Sequence, residues 1–348
     1  MEPPIFSFGY SIALPSEMQK KSRLVVIGRV CYPFRQTGRK EVLQMILVFG
    51  SLNADFFLPL QTFPLPGETV LTPQAFIKAG GKGANQAAAA AKAGGLVKMI
   101  GAVGADEVAK VPVTALKALG VDCAGMQTSD KATGMAMIMV DAEGENSIVV
   151  ASGANTSLSA DVVSETLLGD DTLLVMQMEV PVEENFKLMR RAKAKGARSI
   201  LNTAPAQTAS AQDLALADYL ILNEIEADTV YSALFEKTFL GTEEKALAIS
   251  EKTGGVCLIT LGSKGVVVAE KGKITKVSSL SINPVDTTGA GDAFVGIFAA
   301  MIDSGADTVQ AVRYASAGAG LACLKMGAQE ALPSLKEIEA RVEEIQAV

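Results

Sequence analysis

Two hydrophobic rhythms alternate along this chain. From Met45 onward, short and nearly continuous apolar runs are separated by stretches in which apolar side chains recur every third or fourth position. The continuous runs predict buried strands over 45–50, 97–103, 172–178, 199–202, 219–222, 256–260 and 265–269. The longer spacing predicts helices over 84–93, 113–119, 183–195, 243–253, 293–303 and 308–324. Such alternation is the signature of an α/β fold: a doubly wound, mostly parallel central sheet with helices on both faces. Two stretches interrupt it. The first, 56–77, holds prolines and short alternating runs, and the second, 134–152, reads as a hairpin turning at 141–145. Strands drawn from about 54–78 and 134–153 therefore predict a small β-sheet lid. The stretch 277–285 also reads as β-prone until Pro284 and Asp286 end it.

Several predicted strands end in polar residues: Asn53 and Asp55, Glu179, Asn202, Asn223 with Glu226, and Thr260. In an open parallel sheet, ligands bind beyond the carboxyl ends of the strands, so these residues are expected to line one crevice. Residues 1–44 do not share the pattern. They mix prolines, basic residues and short apolar runs without signal-peptide architecture, and only 24–27 looks strand-like. The expectation is a poorly ordered N-terminal extension or an upstream-start artefact, followed by a folded domain over 45–348.

The most informative segment is Asp286-Thr287-Thr288-Gly289-Ala290-Gly291-Asp292, immediately ahead of an apolar helix. A glycine turn opening a helix leaves backbone N–H groups aimed outward at the positive end of the helix dipole, which suits an anion. A carboxylate there would compete with a bound anion. Asp292 makes sense if the anion is a phosphoryl group in transfer and Asp292 takes the proton of the attacking hydroxyl. Taken by itself the turn reads more readily as a helix cap, since caps far outnumber active sites. It lacks both the third glycine of a dinucleotide fingerprint and the Gly-Lys-Ser/Thr ending of a P-loop. A second cluster, Gly80-Gly81-Lys82-Gly83-Ala84-Asn85-Gln86, precedes the alanine-rich helix. Its glycines allow close backbone approach, while Lys82 and Asn85 supply donors to hydroxyls or negative charge.

Composition narrows the chemistry. The 348 residues carry a net charge of −7, so there is no basic footprint for nucleic acid and any phosphate site is local. Histidine is absent, which removes imidazole bases, His-dependent triads and His-ligated metals. Cys31, Cys123, Cys257 and Cys323 lie far apart in sequence and read as reduced thiols of a cytoplasmic protein. No uninterrupted apolar stretch reaches the length of a membrane span.

Taken together, the Gly80–Asn85 and Asp286–Asp292 segments resemble the two signature motifs of the ribokinase-like (PfkB carbohydrate kinase) family. Asn53-Ala54-Asp55, Gln177-Met178-Glu179, Asn202-Thr203-Ala204-Pro205, Asn223-Glu224-Ile225-Glu226 and Leu261-Gly262-Ser263-Lys264-Gly265 agree in order and spacing, from about Met45 to the C-terminus. The resemblance implies transfer of the γ-phosphoryl of ATP to a sugar hydroxymethyl group, first of all the 5-hydroxyl of D-ribose. Deoxyribose, a nucleoside such as adenosine, or fructose and its phosphate are the alternatives within the family. A non-catalytic sugar-binding relative is the remote one. It further implies a sugar held by Asn53, Asp55, Gly81, Lys82, Asn85 and Glu179, with Asp292 as general base and Gly289, Ala290 and Gly291 as anion hole. ATP and Mg²⁺ would meet Asn223, Glu226, Thr260, Gly262, Gly265, Gly291 and Ser316. A K⁺ ion would meet the side chain of Asp286 and the carbonyls of Thr288, Ala322, Lys325 and Gly327, with a last ligand near 329–334 open. A homodimer through the lid strands is also implied. This chain departs from the family pattern at Ser316, where His or Asn is common near the adenine, and at Ala109, where glycine is usual. It departs again at 330–333 and at Phe56-Phe57, which follow Asp55.

Overall fold

The computed structural model of the protein describes residues 24–27, 30–33, 45–235 and 241–348. The chain divides into two units, 1–43 and 44–348. In the first, Leu24–Ile27 pairs antiparallel with Val30–Pro33, as the strand-like run at 24–27 predicts. The remaining expectations for 1–44 lie outside the described residues.

The second unit is built on an eight-stranded sheet. Its strand order is Lys273–Val277, Val266–Glu270, Val256–Thr260, Tyr219–Asn223, Arg198–Asn202, Thr172–Met176, Met45–Phe49 and Val97–Ile100. The six strands from Val256–Thr260 to Val97–Ile100 run parallel. Because side chains alternate across a strand, Ile46, Val48, Leu173 and Val175 face one helical layer, while Leu47, Phe49, Leu174 and Met176 face the other. The first layer holds the helices Lys82–Lys92, Ala290–Asp303 and Thr308–Ala322, and the second holds Val182–Ala194, Glu224–Phe235 and Thr242–Thr253. Continuous apolar runs are what a strand needs when both of its faces are covered.

The structure corrects four details of the sequence reading. The predicted strand 265–269 is present as Val266–Glu270, but it runs antiparallel, joined to the unpredicted edge strand Lys273–Val277 by a turn at Lys271 and Gly272. Both turn residues have positive φ (50° and 74°), the conformation of a two-residue hairpin, which can only reverse the chain. The β-prone stretch 277–285 forms no strand beyond Val277. Its amides are engaged elsewhere: Ser278 donates to the Gln346 carbonyl and Val285 to that of Cys323, each at 2.8 Å. The predicted strand 97–103 breaks at Gly101, and Ala102–Gly104 turns away to pair with Gln127–Ser129. The helix Glu224–Phe235 escapes the pattern because its Ile225 faces solvent.

A separate four-stranded sheet is ordered Asn146–Ala151, Gly134–Val140, Asn53–Pro59, Phe76–Gly80. It comes from the two stretches that interrupt the alternation. Among the described residues, no helix is long and apolar enough to cross a membrane.

Candidate active site

The two glycine-rich segments meet because two helices pack unusually closely. A Cβ on Gly296 would lie 2.3 Å from the carbonyl oxygen of Gln86 and 2.9 Å from the amide of Ala90, so only glycine allows the Ala290–Asp303 helix to approach the alanine-rich one. That contact sets Asn85 and Gln86 against Asp292. Asn85 Nδ2 donates to Asp292 Oδ2 at 3.1 Å, and Gln86 Nε2 donates to Oδ1 at 3.0 Å. The buried carboxylate thus accepts a hydrogen bond on each oxygen. Gly289, with φ of 74°, is the N-cap of the helix that carries it. The amide of Ala290 donates to the Thr287 carbonyl at 3.2 Å.

One side of the crevice is assembled from strand ends. Glu179 Oε2 accepts from the Ser51 hydroxyl at 2.6 Å and from the Lys82 amide at 3.1 Å, while the Gly83 amide donates to the same hydroxyl at 3.2 Å. Asn155 donates to Asn53 Oδ1 at 2.8 Å and accepts from the Leu52 amide at 2.9 Å. Gly81 makes this turn possible: its φ is 89°, and a Cβ there would sit 2.8 Å from the Asn53 nitrogen. An open cleft of about 590 Å³ is lined here by Asn53, Asn155, Met178, Glu179 and Gln207, with Val150 of the small sheet across from them. A larger groove of about 760 Å³ lies against the C-terminal segment around Arg313 and Val348, and none of the predicted site residues lines it.

Charge ties these groups together. Burial pushes the Asp55 carboxyl up to about 7, helped by the neighbouring charges of Glu179, Asp292 and Glu330. Its Oδ1 is buried without a hydrogen-bond partner among the described residues. The Lys82 ammonium is stabilised chiefly by Asp292, which outweighs its burial, with Glu179 and Glu226 adding to the effect. Three acids, Asp292, Glu179 and Glu226, therefore act on one largely buried lysine.

Further along the sheet edge, Asn223 and Glu226 lock each other. The Asn223 amide and side chain each donate to Glu226 at 2.9 Å, and the Glu226 amide donates back to Asn223 Oδ1 at 2.8 Å. Burial raises the Glu226 carboxyl, which the Asn223 bond and Lys82 oppose. Thr260 lies opposite Asn223 in the sheet and donates to the Leu222 carbonyl at 3.2 Å. Gly262 and Gly265 form the next turn with φ of 57° and 97°. Ser316 is buried in the Thr308–Ala322 helix, and its hydroxyl has no partner among the described residues.

Asp286 joins two loops, accepting from the Thr288 amide on Oδ1 and the Gly327 amide on Oδ2, both at 2.8 Å. Burial would raise this carboxyl, but those bonds and Lys78 bring it below the ordinary carboxylate range. Ala322 ends the preceding helix, and the exposed Lys325 pairs with Glu337 at 3.8 Å. Ser334, within the open 329–334 stretch, is committed to a capping box with Glu337. Among the described residues, no cluster of three or more His, Cys, Asp or Glu could chelate a metal, and Cys123, Cys257 and Cys323 are free and buried.

Sequence reasoning gave no role to the supporting polar residues Ser51, Gln86, Gln177 and Gln329, although Gln86 and Gln177 stand within the motifs it singled out. Gln86 and Gln177 are fully buried, a rare state for glutamine that calls for partners.

Comparison with known proteins supplies a family. The profile of the pfkB family carbohydrate kinases matches residues 43–335. A ribokinase of Haemophilus influenzae is 38% identical over 296 residues, which span 84% of this chain and 96% of that protein. The crystal structure of a Thermotoga maritima ribokinase superposes with a TM-score of 0.81 at 31% identity, covering 86% of this chain and 99% of that one. An Arabidopsis thaliana ribokinase complexed with ribose and ATP gives a TM-score of 0.77 at 28% identity, covering 87% of this chain and 99% of that one.

Proposed function

The chain belongs to the pfkB family of carbohydrate kinases, and we propose that its reaction is transfer of the γ-phosphoryl of ATP to the 5-hydroxyl of D-ribose, giving ribose 5-phosphate. The observation that carries this reading is the Asp292 carboxylate, gripped by Asn85 and Gln86 at a helix N-terminus and facing Lys82, Asp55 and Glu179. A small polyol needs this many polar partners, since each hydroxyl left unpaired in a closed site costs about 1–3 kcal/mol.

The sugar rests among Asn53, Asp55, Gly81, Lys82, Asn85 and Glu179. The unpartnered Oδ1 of Asp55 accepts one of its hydroxyls. Asp292 removes the proton of the attacking hydroxyl as the new O–P bond forms and the bond from the γ-phosphorus to the ADP oxygen breaks. The backbone at Gly289, Ala290 and Gly291, at the positive helix end, stabilises the migrating charge. Engaging it fully requires the Ala290 amide to exchange Thr287 for phosphate oxygen. ATP lies along Asn223, Thr260, Gly262, Gly265 and Ser316.

Glu226 and Asn223 brace each other, and each Glu226 oxygen keeps a lone pair able to accept from the waters of a Mg²⁺ ion, which retains several of them. When bound, Mg²⁺ neutralises phosphate charge. Asp286 with the carbonyls of Thr288, Ala322, Lys325 and Gly327 forms an all-oxygen set compatible with K⁺, because each Asp286 oxygen keeps a lone pair after accepting its amide. Asp286 itself ties the anion-hole loop to the Gly327 loop.

The small sheet reads as a lid, and its exposed outer strand, with Ile148, Val149 and Val150 more than half exposed, reads as the seam of a homodimer. A cytoplasmic location accords with the free, buried thiols.

A coupled assay with Mg-ATP and K⁺ across ribose, deoxyribose, fructose, fructose 1-phosphate and adenosine tests the reading. Ribose is expected to give the highest kcat/KM, and preference for adenosine or fructose overturns it. Asp292→Asn is expected to lower kcat by about 10²–10⁴ with the fold intact. Near-normal turnover in that variant would remove the base.

A further inference from the structure

Behind Asp292 lies a buried line of side-chain amides that the reaction as described does not use. Gln86 is fully buried, and both hydrogens of its amide are taken: Nε2 donates to Asp292 Oδ1 at 3.0 Å and to Asn202 Oδ1 at 3.1 Å. Its own Oε1 accepts from Gln177 Nε2 at 2.8 Å. The Gln177 backbone carbonyl accepts from Asn185 Nδ2 at 2.7 Å, and its side chain packs against Gly50, where a Cβ would lie 1.9 Å from Oε1; that Oε1 is buried with no hydrogen-bond partner among the described residues. On the other side, Gln329 Nε2 donates to Asn85 Oδ1 at 3.0 Å, so Asn85 too must present its amide hydrogens to Asp292.

We infer that Gln86, oriented by Gln177, is a positioning residue for the proposed general base. An ionised carboxylate can only accept hydrogen bonds, so Gln86 must show it an N–H, and its oxygen must then find a donor. Gln177 is that donor. The two glutamines form a one-way chain that keeps an N–H on Oδ1 and fixes the rotation of the carboxylate. Because Oδ1 is held from the sealed interior, Oδ2 is the oxygen offered to the sugar hydroxyl. Neither glutamine touches substrate in this arrangement. The other ionisable groups that face Asp292 are Lys82 from the glycine turn, Asp55 from the small sheet and Glu226 from the Glu224–Phe235 helix.

The inference rests on the kinase reading for its consequence but not for its physics, and the test separates the two. Gln86→Met keeps the volume and removes the donor. In the full-length protein it is expected to lower kcat at least tenfold while KM for the sugar stays within about threefold, because ground-state contacts are untouched. The acidic limb of the kcat profile should move to higher pH, since a carboxylate that loses a donor is easier to protonate. Gln177→Met, one bond further away, should do the same to a smaller degree. Carbon NMR of the Asp292 carboxylate, identified by its loss in Asp292→Asn, reads the same displacement without turnover. If the wild type phosphorylates no sugar yet the NMR midpoint moves in Gln86→Met, the positioning role stands and the kinase reading falls. A folded Gln86→Met protein whose acidic limb and carboxylate titration match the wild type overturns the inference, even if kcat has dropped.

Discussion

At the scale of the residue, Asp55 shows how far burial bends ordinary chemistry. Its carboxyl rises from 3.8 to about 7, first through burial and then through Glu179, Asp292 and Glu330. A carboxyl raised on folding must be protonated to be stabilising. Its contribution is intact below pH 3.8 and disappears as pH climbs through about 7. Replacing Asp55 by Asn removes the penalty of ionising it, so calorimetry should show a higher Tm above pH 7 and little change below pH 4. The same variant should lose sugar affinity, because one carboxylate oxygen becomes an NH2 group that cannot accept from a hydroxyl. A Tm difference independent of pH would mean that Asp55 ionises freely in the fold. The candidate residues themselves were largely legible. Asp292, Lys82 and Asn85 stand in glycine turns, and Asn53, Glu179 and Asn223 stand at strand ends, where composition alone marks them. The role of Gln86 was not, although the residue closes the second glycine cluster, because nothing local shows that it donates to a carboxylate 206 positions away.

Elements bring those residues within reach, and the decisive contact is between the alanine-rich helix and the one carrying Asp292. Gly296 faces Gln86 and Ala90 backbone at 2.3 and 2.9 Å. Gly296→Ala must push the helices apart and is expected to cost about 1–3 kcal/mol, read as a lower Tm or urea midpoint. It should also lower kcat, because the Asn85 and Gln86 bonds to Asp292 lengthen together. Retention of both stability and turnover would show that the helices slide without cost. The helix 290–303 was visible in the apolar spacing, and its need for a close neighbour was not. Strand identity was likewise clear where both faces are apolar, as in Met45–Phe49, and unclear at the edge. Lys273–Val277 alternates weakly, and 277–285 alternates well yet spends its amides on Gln346 and Cys323. Periodicity records which faces are buried. It says nothing about where the hydrogen bonds go.

For the whole molecule, the family match begins at residue 43 and the second structural unit at residue 44. All the candidate site residues belong to that unit. A protein starting at Gln44 is therefore expected to keep kcat and KM within about twofold of the full chain, measured side by side in the coupled assay. A loss of turnover greater than tenfold in a soluble, folded truncation would give the first unit a part in catalysis. Burial on both faces of the central sheet, with helices 82–92, 290–303 and 308–322 on one side, places the polar crevice at the strand ends and the small sheet. That is why polar residues distant in sequence gather there.

By itself the order of amino acids determined the layered α/β architecture, the two glycine turns and the acid between them, because each depends on contacts within a few neighbours. Only the tertiary structure decided that Asp292 is gripped on both oxygens, that Asp55 is pushed toward neutrality, and that Gln177 backs Gln86. Such properties come from groups far apart along the chain sharing one poorly hydrated space, where hydrogen bonds and charges act strongly only once the fold has excluded water.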